Sequence, residues 1–329
     1  MTLVAPAPDV EPAEPGETVA EVGPDPDDAG EPDLPAEPVD AADPAPVLPL
    51  ALYLPGAALS VLAVLILGFL AQLTLVSQLA FERRQEVTLA DFRIDLATGT
   101  APVGQADQDG RLVPPGTAVA VLRIPALKLR TVVFEGTTGG VLQAGPGHRR
   151  DTVLPGQSGT SVVMGRRAAY GGPFGRLNRL LPGDGIHAVT GQGEHTYRVT
   201  AVRRPGEPLP APPESSDGRL VLVTADGPRW MPTDLLYVYA DLTSPAQPAA
   251  ARRFGTASLP PSEQALATDR DAWMPLVLWT QLLLVAALGL AWARVRWGRW
   301  QAWIVGVPVL LYVGASTVDA AARLLPNLL

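Results

Sequence analysis

The chain of 329 residues contains no cysteine. Disulfides, thiolate metal sites and thiol nucleophiles are therefore all excluded, and cysteine usage says nothing of the redox compartment. Lysine is almost missing as well, since Lys128 is the one lysine among 25 basic residues. Histidine occurs three times, at His148, His187 and His195, with a spacing that suits no standard metal site. No basic patch with interleaved aromatics appears, which argues against a nucleic-acid partner. The sequence calls for no metal and no cofactor. Charged residues make up 18% against 47% hydrophobic ones, and mean hydropathy is +0.17, a balance that leans toward a membrane protein.

The net charge of −8 comes mostly from one end. Residues 1–47 carry Pro, Ala, Asp and Glu but no Lys or Arg. Such a segment cannot bury enough apolar surface to offset its ordering entropy, so it is expected to be disordered. It reads as a solvated spacer or as an acidic docking tail. Residues 48–81 follow as a long apolar run, with Tyr53 the one ionisable side chain from Pro49 to Ala80. About 20 apolar residues cross a bilayer. A cleaved signal peptide needs a basic leader and an early start, which are missing here, so the run reads as a retained transmembrane helix. Residues 82–117 form a polar juxtamembrane segment and a linker rich in Gly, Pro and Asp.

Residues 118–242 read as a β domain. Short β-branched runs punctuated by turns lie at Val119–Ile124, Thr131–Glu135, Ser161–Met164, Gly185–Val189, Thr196–Val202, Arg219–Thr224 and Leu236–Leu242. Helices are expected around Val141 and near Phe174–Leu180. Seven or eight strands with few helices suit a closed β-barrel. A Pro- and Ala-rich linker, 243–272, leads to two further apolar spans, 273–293 and 301–325. They are separated by the basic aromatic turn 294–300, whose Arg294, Arg296 and Arg299 mark it as cytoplasmic. Trp273, Trp292, Trp297, Trp300 and Trp303 fall where an aromatic belt would. The fold expected is thus mainly β, a barrel of seven to eight strands with short helices, plus three transmembrane helices. Arg83 and Arg84 beyond the first span weigh the other way on orientation, so charge alone leaves it open.

Two stretches carry the chemistry. One runs Leu154-Pro155-Gly156-Gln157-Ser158-Gly159-Thr160-Ser161-Val162-Val163-Met164-Gly165-Arg166-Arg167. The other is Leu220-Val221-Leu222-Val223-Thr224-Ala225. Around them stand Leu122-Arg123-Ile124-Pro125-Ala126-Leu127, Gly136-Thr137, Gly145-Pro146-Gly147-His148, Tyr170-Gly171-Gly172-Pro173-Phe174-Gly175-Arg176-Leu177, Leu181-Pro182-Gly183-Asp184 and Tyr197-Arg198-Val199. In this order the pieces resemble the sortases, the surface transpeptidases of Gram-positive bacteria, over about 40% of the chain. The Gly-Pro-Gly-His segment is similar to that of actinobacterial, class E-like sortases. The preference for arginine over lysine and the heavy use of Ala, Gly and Pro fit a GC-rich actinobacterial genome.

The resemblance implies a closed barrel on the outer face of the plasma membrane, with the acidic tail cytoplasmic and the protein multi-pass. It also implies a Cys thiolate that attacks an LPxTG-type sorting signal, a His acting as general acid, and an Arg that stabilises the oxyanion. Here Arg166 stands at the His position, Ala225 at the Cys position and Leu235 at the Arg position. The chain therefore reads as a catalytically degenerate member. Thr224, Ser158 and Ser161 are the nearby hydroxyls, but a hydroxyl needs a positioned base.

Candidate groove residues are His148, Arg166, Thr224, Ala225, Asp226 and Arg229. Arg166 is expected either as a surface loop arginine or as a groove charge paired with Asp226. His148 is expected to be structural or pocket-lining, and His187 and His195 exposed. Three functions follow. One is a non-catalytic binding or scaffolding partner in cell-surface assembly, in contact with membrane lipid and with an active sortase, a pilin-like protein or another sorting-signal-bearing surface protein. Another is a transpeptidase or hydrolase that uses unconventional residues. The last is a purely structural membrane module.

Overall fold

The computed structural model describes residues 67–329 except 69, 73–75, 108, 229 and 298. The acidic tail, most of the expected span 48–81 and the groove candidate Arg229 lie outside the described residues.

A helix, α1 (Ser77–Thr98), precedes eight strands. These are β1 (Ala118–Ile124), β2 (Leu129–Glu135), β3 (Gly147–His148), β4 (Gly159–Met164), β5 (Gly185–Thr190), β6 (Gly193–Arg203), β7 (Gly218–Asp226) and β8 (Asp234–Leu242). They close into a barrel in the order β1-β2-β3-β4-β7-β8-β6-β5. Most neighbours are antiparallel, but β2–β3 and β4–β7 are parallel. The short helix α2 (Gly139–Ala144) bridges β2 and β3, its first turn capped by the Thr138 hydroxyl, which accepts from the Val141 amide.

The strands form where period-2 alternation of β-branched and apolar residues gives each strand one buried face. β5 and β8 show that alternation in their burial. The barrel interior is filled by Val119, Leu122 and Ile124 of β1, Leu220 and Leu222 of β7, Val238 and Ala240 of β8, and by Phe174 and Leu177 from the loop after β4. Gly165 lets Phe174 in, because a Cβ there would sit 2.5 Å from the Phe174 ring. The helix expected near Phe174–Leu180 is only a single 3-10 turn at Leu177–Arg179. Phe174 and Leu177 must both reach the core, and the tight i to i+3 winding accommodates that. β3 is two residues long, too short to leave a sequence pattern.

β7 is buried on both faces over nearly its whole length. Leu220 and Leu222 point inward, while Val221, Val223 and Ala225 lie in a separate apolar cluster on the outer side. Something must therefore cover that outer face.

α1 lies across β1 and β2 with Phe92 fully buried. Its Gln85 accepts from the Val132 amide at 2.6 Å and donates to the Ala144 carbonyl at 2.8 Å, which ties helix to barrel. The two connecting segments also run along the wall. Gln105 accepts from the amides of Arg253 and Phe254 at 2.8 and 2.9 Å and donates to the Arg150 carbonyl at 2.8 Å.

α3 (Trp273–Trp297) and α4 (Arg299–Arg323) form an antiparallel hairpin, with Trp279 edge-on to Tyr312 at 6.1 Å between centroids. Among the described residues two helices, rather than the three expected, are long and apolar enough to cross a bilayer. The remaining expected span, 48–81, lies largely outside the described residues. Leu278, Leu284, Val285 and Leu288 on α3, with Ile304, Leu311 and Tyr312 on α4, are all exposed. The two ends of the hairpin meet, since the Asp269 amide donates to the Arg323 carbonyl at 3.2 Å, and Asp319 near the end of α4 accepts from the Tyr170 hydroxyl at 2.9 Å.

Candidate functional site

Arg166, Ala225 and Leu235, the three positions singled out by the resemblance, lie on neighbouring segments. Ala225 is the cross-strand partner of Leu235 in the β7–β8 ladder. Arg166 lies two residues past the end of β4, which runs parallel to β7 with Met164 opposite Val223. The Thr224 hydroxyl donates to the Gly165 carbonyl at 2.8 Å and so holds the β4 exit against the β7 end. Thr224 and Ala225 are 2% and 1% exposed. The Thr224 hydroxyl is thus spent on a backbone carbonyl, with no base beside it.

Arg166 is completely buried, which overturns both expectations for it. It is not a surface arginine, and it does not pair with Asp226. Its Nη2 donates to the Gly139 carbonyl at 3.0 Å, and its guanidinium lies 5.0 Å from the centroid of the Tyr170 ring. Nε and Nη1 have no hydrogen-bond partner. Burial pushes its pKa down to about 10, so it stays charged at neutral pH. The partner of Asp226 is the next residue, Arg167, at 3.0 Å, together with Arg204 at 2.6 Å. The chain bends at Arg167, just past β4, and it is this more exposed side chain that reaches the carboxylate. Although burial opposes its charge, Asp226 is held below the usual carboxylate range by these hydrogen bonds.

His148 is fully buried and belongs to a neighbouring polar cluster. Nδ1 lies 2.8 Å from Glu135 Oε2, and Nε2 lies 2.8 Å from the Val153 carbonyl. A carboxylate and a carbonyl both accept, which favours the imidazolium. Burial works against that charge, but Glu135 prevails and the pKa is raised. Arg149 clasps Asp151 at 2.7 Å on both oxygens, and Arg150 pairs with Glu263 at 3.2 Å while stacking on Phe254. These groups neutralise one another, and none of them faces Ala225. His195, expected exposed, is 2% exposed. The turn at Leu154–Gly156 folds onto its ring, and a Cβ on Gly156 (φ +95°) would collide with it. His187 stays partly exposed, 3.8 Å from Glu194. Among the described residues no cluster of three or more His, Cys, Asp or Glu is placed to hold a metal. Ser161 is buried with its hydroxyl unpartnered, and Ser158 donates to the Gln247 carbonyl at 3.4 Å.

The covering of β7 comes from two segments that sequence reasoning missed. Ala265 and Leu266 pack from the stretch before α3, with Leu266 in the left-handed conformation at φ +60°. Leu325-Pro326-Asn327-Leu328-Leu329, which follows α4, supplies the rest. Leu328 is fully buried in one cluster with Leu142, Met164, Val221, Val223 and Ala225. Its carbonyl accepts from the Arg167 amide at 2.9 Å, and that of Leu329 accepts from the Ala169 amide at 3.4 Å. The Asn327 side chain donates to the carbonyls of Thr137 and Gln264 at 2.9 and 2.8 Å. The local pattern of this segment gives no hint of the surface it meets.

Residues 122–243 match the Sortase domain family model. Sortase D of Bacillus subtilis is 30% identical over 121 residues, which is 36% of this chain. The chain spans 60% of the length of that curated relative. A solved Clostridium perfringens sortase D5 transpeptidase is 21% identical with a TM-score of 0.41, covering 49% of this chain and 99% of its own. A Streptomyces avermitilis sortase E is 29% identical with a TM-score of 0.33, covering 40% and 91% respectively. The part of the chain that carries the site, residues 122–243, is thus similar in sequence to the sortase domain, and the similarity ends before the apolar hairpin begins.

Proposed function

We propose that this chain is a catalytically degenerate, class E-like sortase relative that works without catalysis, as a membrane-tethered binding or scaffolding partner in cell-surface protein assembly. One observation carries the reading. The position that the resemblance assigns to the nucleophile is Ala225, buried and without a thiol anywhere in the chain to replace it. The remaining chemistry supports the same conclusion. Arg166 keeps its charge at neutral pH and cannot serve as general acid in place of an imidazole. Thr224 is bonded to a carbonyl, and His148 is committed to Glu135 and Val153. On this reading the protein lies in the plasma membrane with the barrel outside and the 294–300 turn inside. Its partners are an active sortase, a pilin-like protein or another surface protein with a sorting signal.

The test is an assay of the full-length protein in membranes with a sorting-signal peptide and an amine acceptor. Neither hydrolysis nor transpeptidation is expected above the buffer rate. Turnover that disappears in Thr224→Ala would overturn the reading in favour of an unconventional enzyme. The cover over Ala225 favours a second reading, a purely structural module, in which no surface partner co-purifies with the protein.

A further inference from the structure

The outer face of β7 is an apolar surface covered by other segments of the chain. Its floor is Val221, Val223 and Ala225, flanked by Leu235, Tyr237 and Tyr239 of β8 and Met164 of β4. Beside it the chain after β4 leaves the ladder, and the amides of Arg167 and Ala169 take partners outside the sheet. Two carbonyls, Thr137 and Gln264, converge on one point of the rim. This is the pattern of extended-peptide recognition, in which main-chain hydrogen bonds supply affinity and pockets for particular side chains supply selectivity.

Leu325–Leu329 fulfils each requirement. Leu328 fills the apolar floor, its carbonyl and that of Leu329 take the two amides, and the Asn327 carboxamide takes both rim carbonyls. The Asn327 amide adds a bond to the Ala267 carbonyl at 2.9 Å. Asn327, Leu328 and Leu329 are 1%, 0% and 6% exposed. The segment begins two residues beyond the last residue of α4, so the position of the hairpin dictates whether the groove is filled.

We propose that the groove is a peptide-binding site held shut by an intrachain ligand, Leu325–Leu329. Once vacated, it takes an extended peptide of the same chemistry, an apolar residue directly preceded by a carboxamide residue. The hairpin α3–α4 is the element that withdraws the occupant. This inference does not depend on whether the barrel catalyses anything.

The absence of cysteine makes the test direct, because an introduced thiol is the only one present. Ala225→Cys is titrated with a maleimide in the detergent-solubilised full chain, alone and with Leu328→Asp or Leu328→Ala. Val163→Cys, at a fully buried interior position, reports in each background that the barrel is folded. We expect the Ala225→Cys thiol to label at least tenfold faster when Leu328 is replaced, while Val163→Cys stays protected. A synthetic Leu-Leu-Pro-Asn-Leu-Leu peptide should restore the slow rate, and the same peptide with Ala for Asn should not. Equal labelling of Ala225→Cys with and without Leu328 overturns the proposal. So does loss of Val163→Cys protection in both Leu328 variants, which would make the segment part of the barrel fold rather than a separable occupant. Failure of the peptide to protect overturns the ligand class.

Discussion

Arg166 lies over the ring of Tyr170, 5.0 Å from its centroid, and that contact joins the hydrogen bond to the Gly139 carbonyl in offsetting its burial. The Tyr170 hydroxyl in turn donates to Asp319 Oδ1 of α4 at 2.9 Å, so the barrel and the hairpin meet at this residue. Tyr170 holds a left-handed conformation at φ +51° to do so, a strained choice for a bulky residue. Where the resemblance puts a general acid, the chain has a buried cation serving a structural contact.

That arrangement makes a counter-intuitive expectation. A buried charge with two unpartnered nitrogens is costly, and apolar replacements of similar volume are often neutral or stabilising by about 1–4 kcal/mol. Arg166→Met should therefore leave the unfolding temperature of the barrel unchanged or raise it. Tyr170→Phe, which removes a hydrogen bond to a carboxylate, should lower stability by about 1.5–3 kcal/mol. Thermal unfolding of the two variants side by side checks both signs. A marked loss in Arg166→Met would mean that the cation is a net stabiliser.

The pH dependence of stability follows from His148. Its pKa is raised above 6.5 in the folded state, through Glu135 and against burial. A group of this kind contributes stability that is fully present below the unfolded pKa and is lost as pH rises through the folded pKa. Denaturant unfolding should therefore show stability falling on the alkaline side of pH 6.5, and His148→Gln should flatten that slope. Asp151 acts in the same direction as Glu135, while Glu263 nearby has its own carboxyl pKa raised by burial. The buried His195 acts oppositely. Its pKa is lowered, so it costs stability as pH falls below 6.5, and His195→Gln should remove that loss. A wild-type profile parallel to that of His148→Gln across this range would show that the imidazolium is not formed.

Much of this architecture was legible in the sequence because it rests on local pattern. β-branched alternation marked seven of the eight strands, and turn residues marked their ends. That Arg166, Ala225 and Leu235 belong together came from the resemblance and not from local pattern, because no local signal tells that β4 and β8 flank β7. What failed depends on long-range packing. That Arg167 rather than Arg166 reaches Asp226 turns on the bend of the chain just past β4. His195 is buried only because a distant Gly156 turn folds onto it. The local pattern of Leu325–Leu329 does not mark it, and its burial arises from packing on residues about 100 positions earlier.

Orientation can be tested on the same surface features. The loop between β6 and β7, residues 204–217, is mostly exposed and lies far in sequence from the apolar spans. Protease added to intact cells stripped of their wall should cut there, within the wider region 99–271. The 294–300 turn should resist until the membrane is permeabilised. Cleavage of the acidic 1–47 tail with the barrel protected would reverse the orientation.

Restoring the reactive set asks whether chemistry alone was lost. Arg166→His, Ala225→Cys and Leu235→Arg place the three side chains that the resemblance implies at the ends of β4, β7 and β8. Nearby imidazolium and guanidinium groups lower a thiol pKa from about 8.5 toward neutrality. The cover over Ala225 acts before that effect can be felt, because a maleimide or a peptide must first reach the thiol. The triple variant should therefore label slowly and turn over no sorting-signal peptide. Adding Leu328→Asp should open the groove, and the labelling rate should then follow a titration at lower pH than in Ala225→Cys with Leu328→Asp alone. The comparison separates access from activation, since both chains share the open groove and differ only at positions 166 and 235. Identical pH profiles would mean that the two restored side chains do not reach the thiol. Rapid labelling of the triple variant with Leu328 intact would mean that the segment does not close the groove.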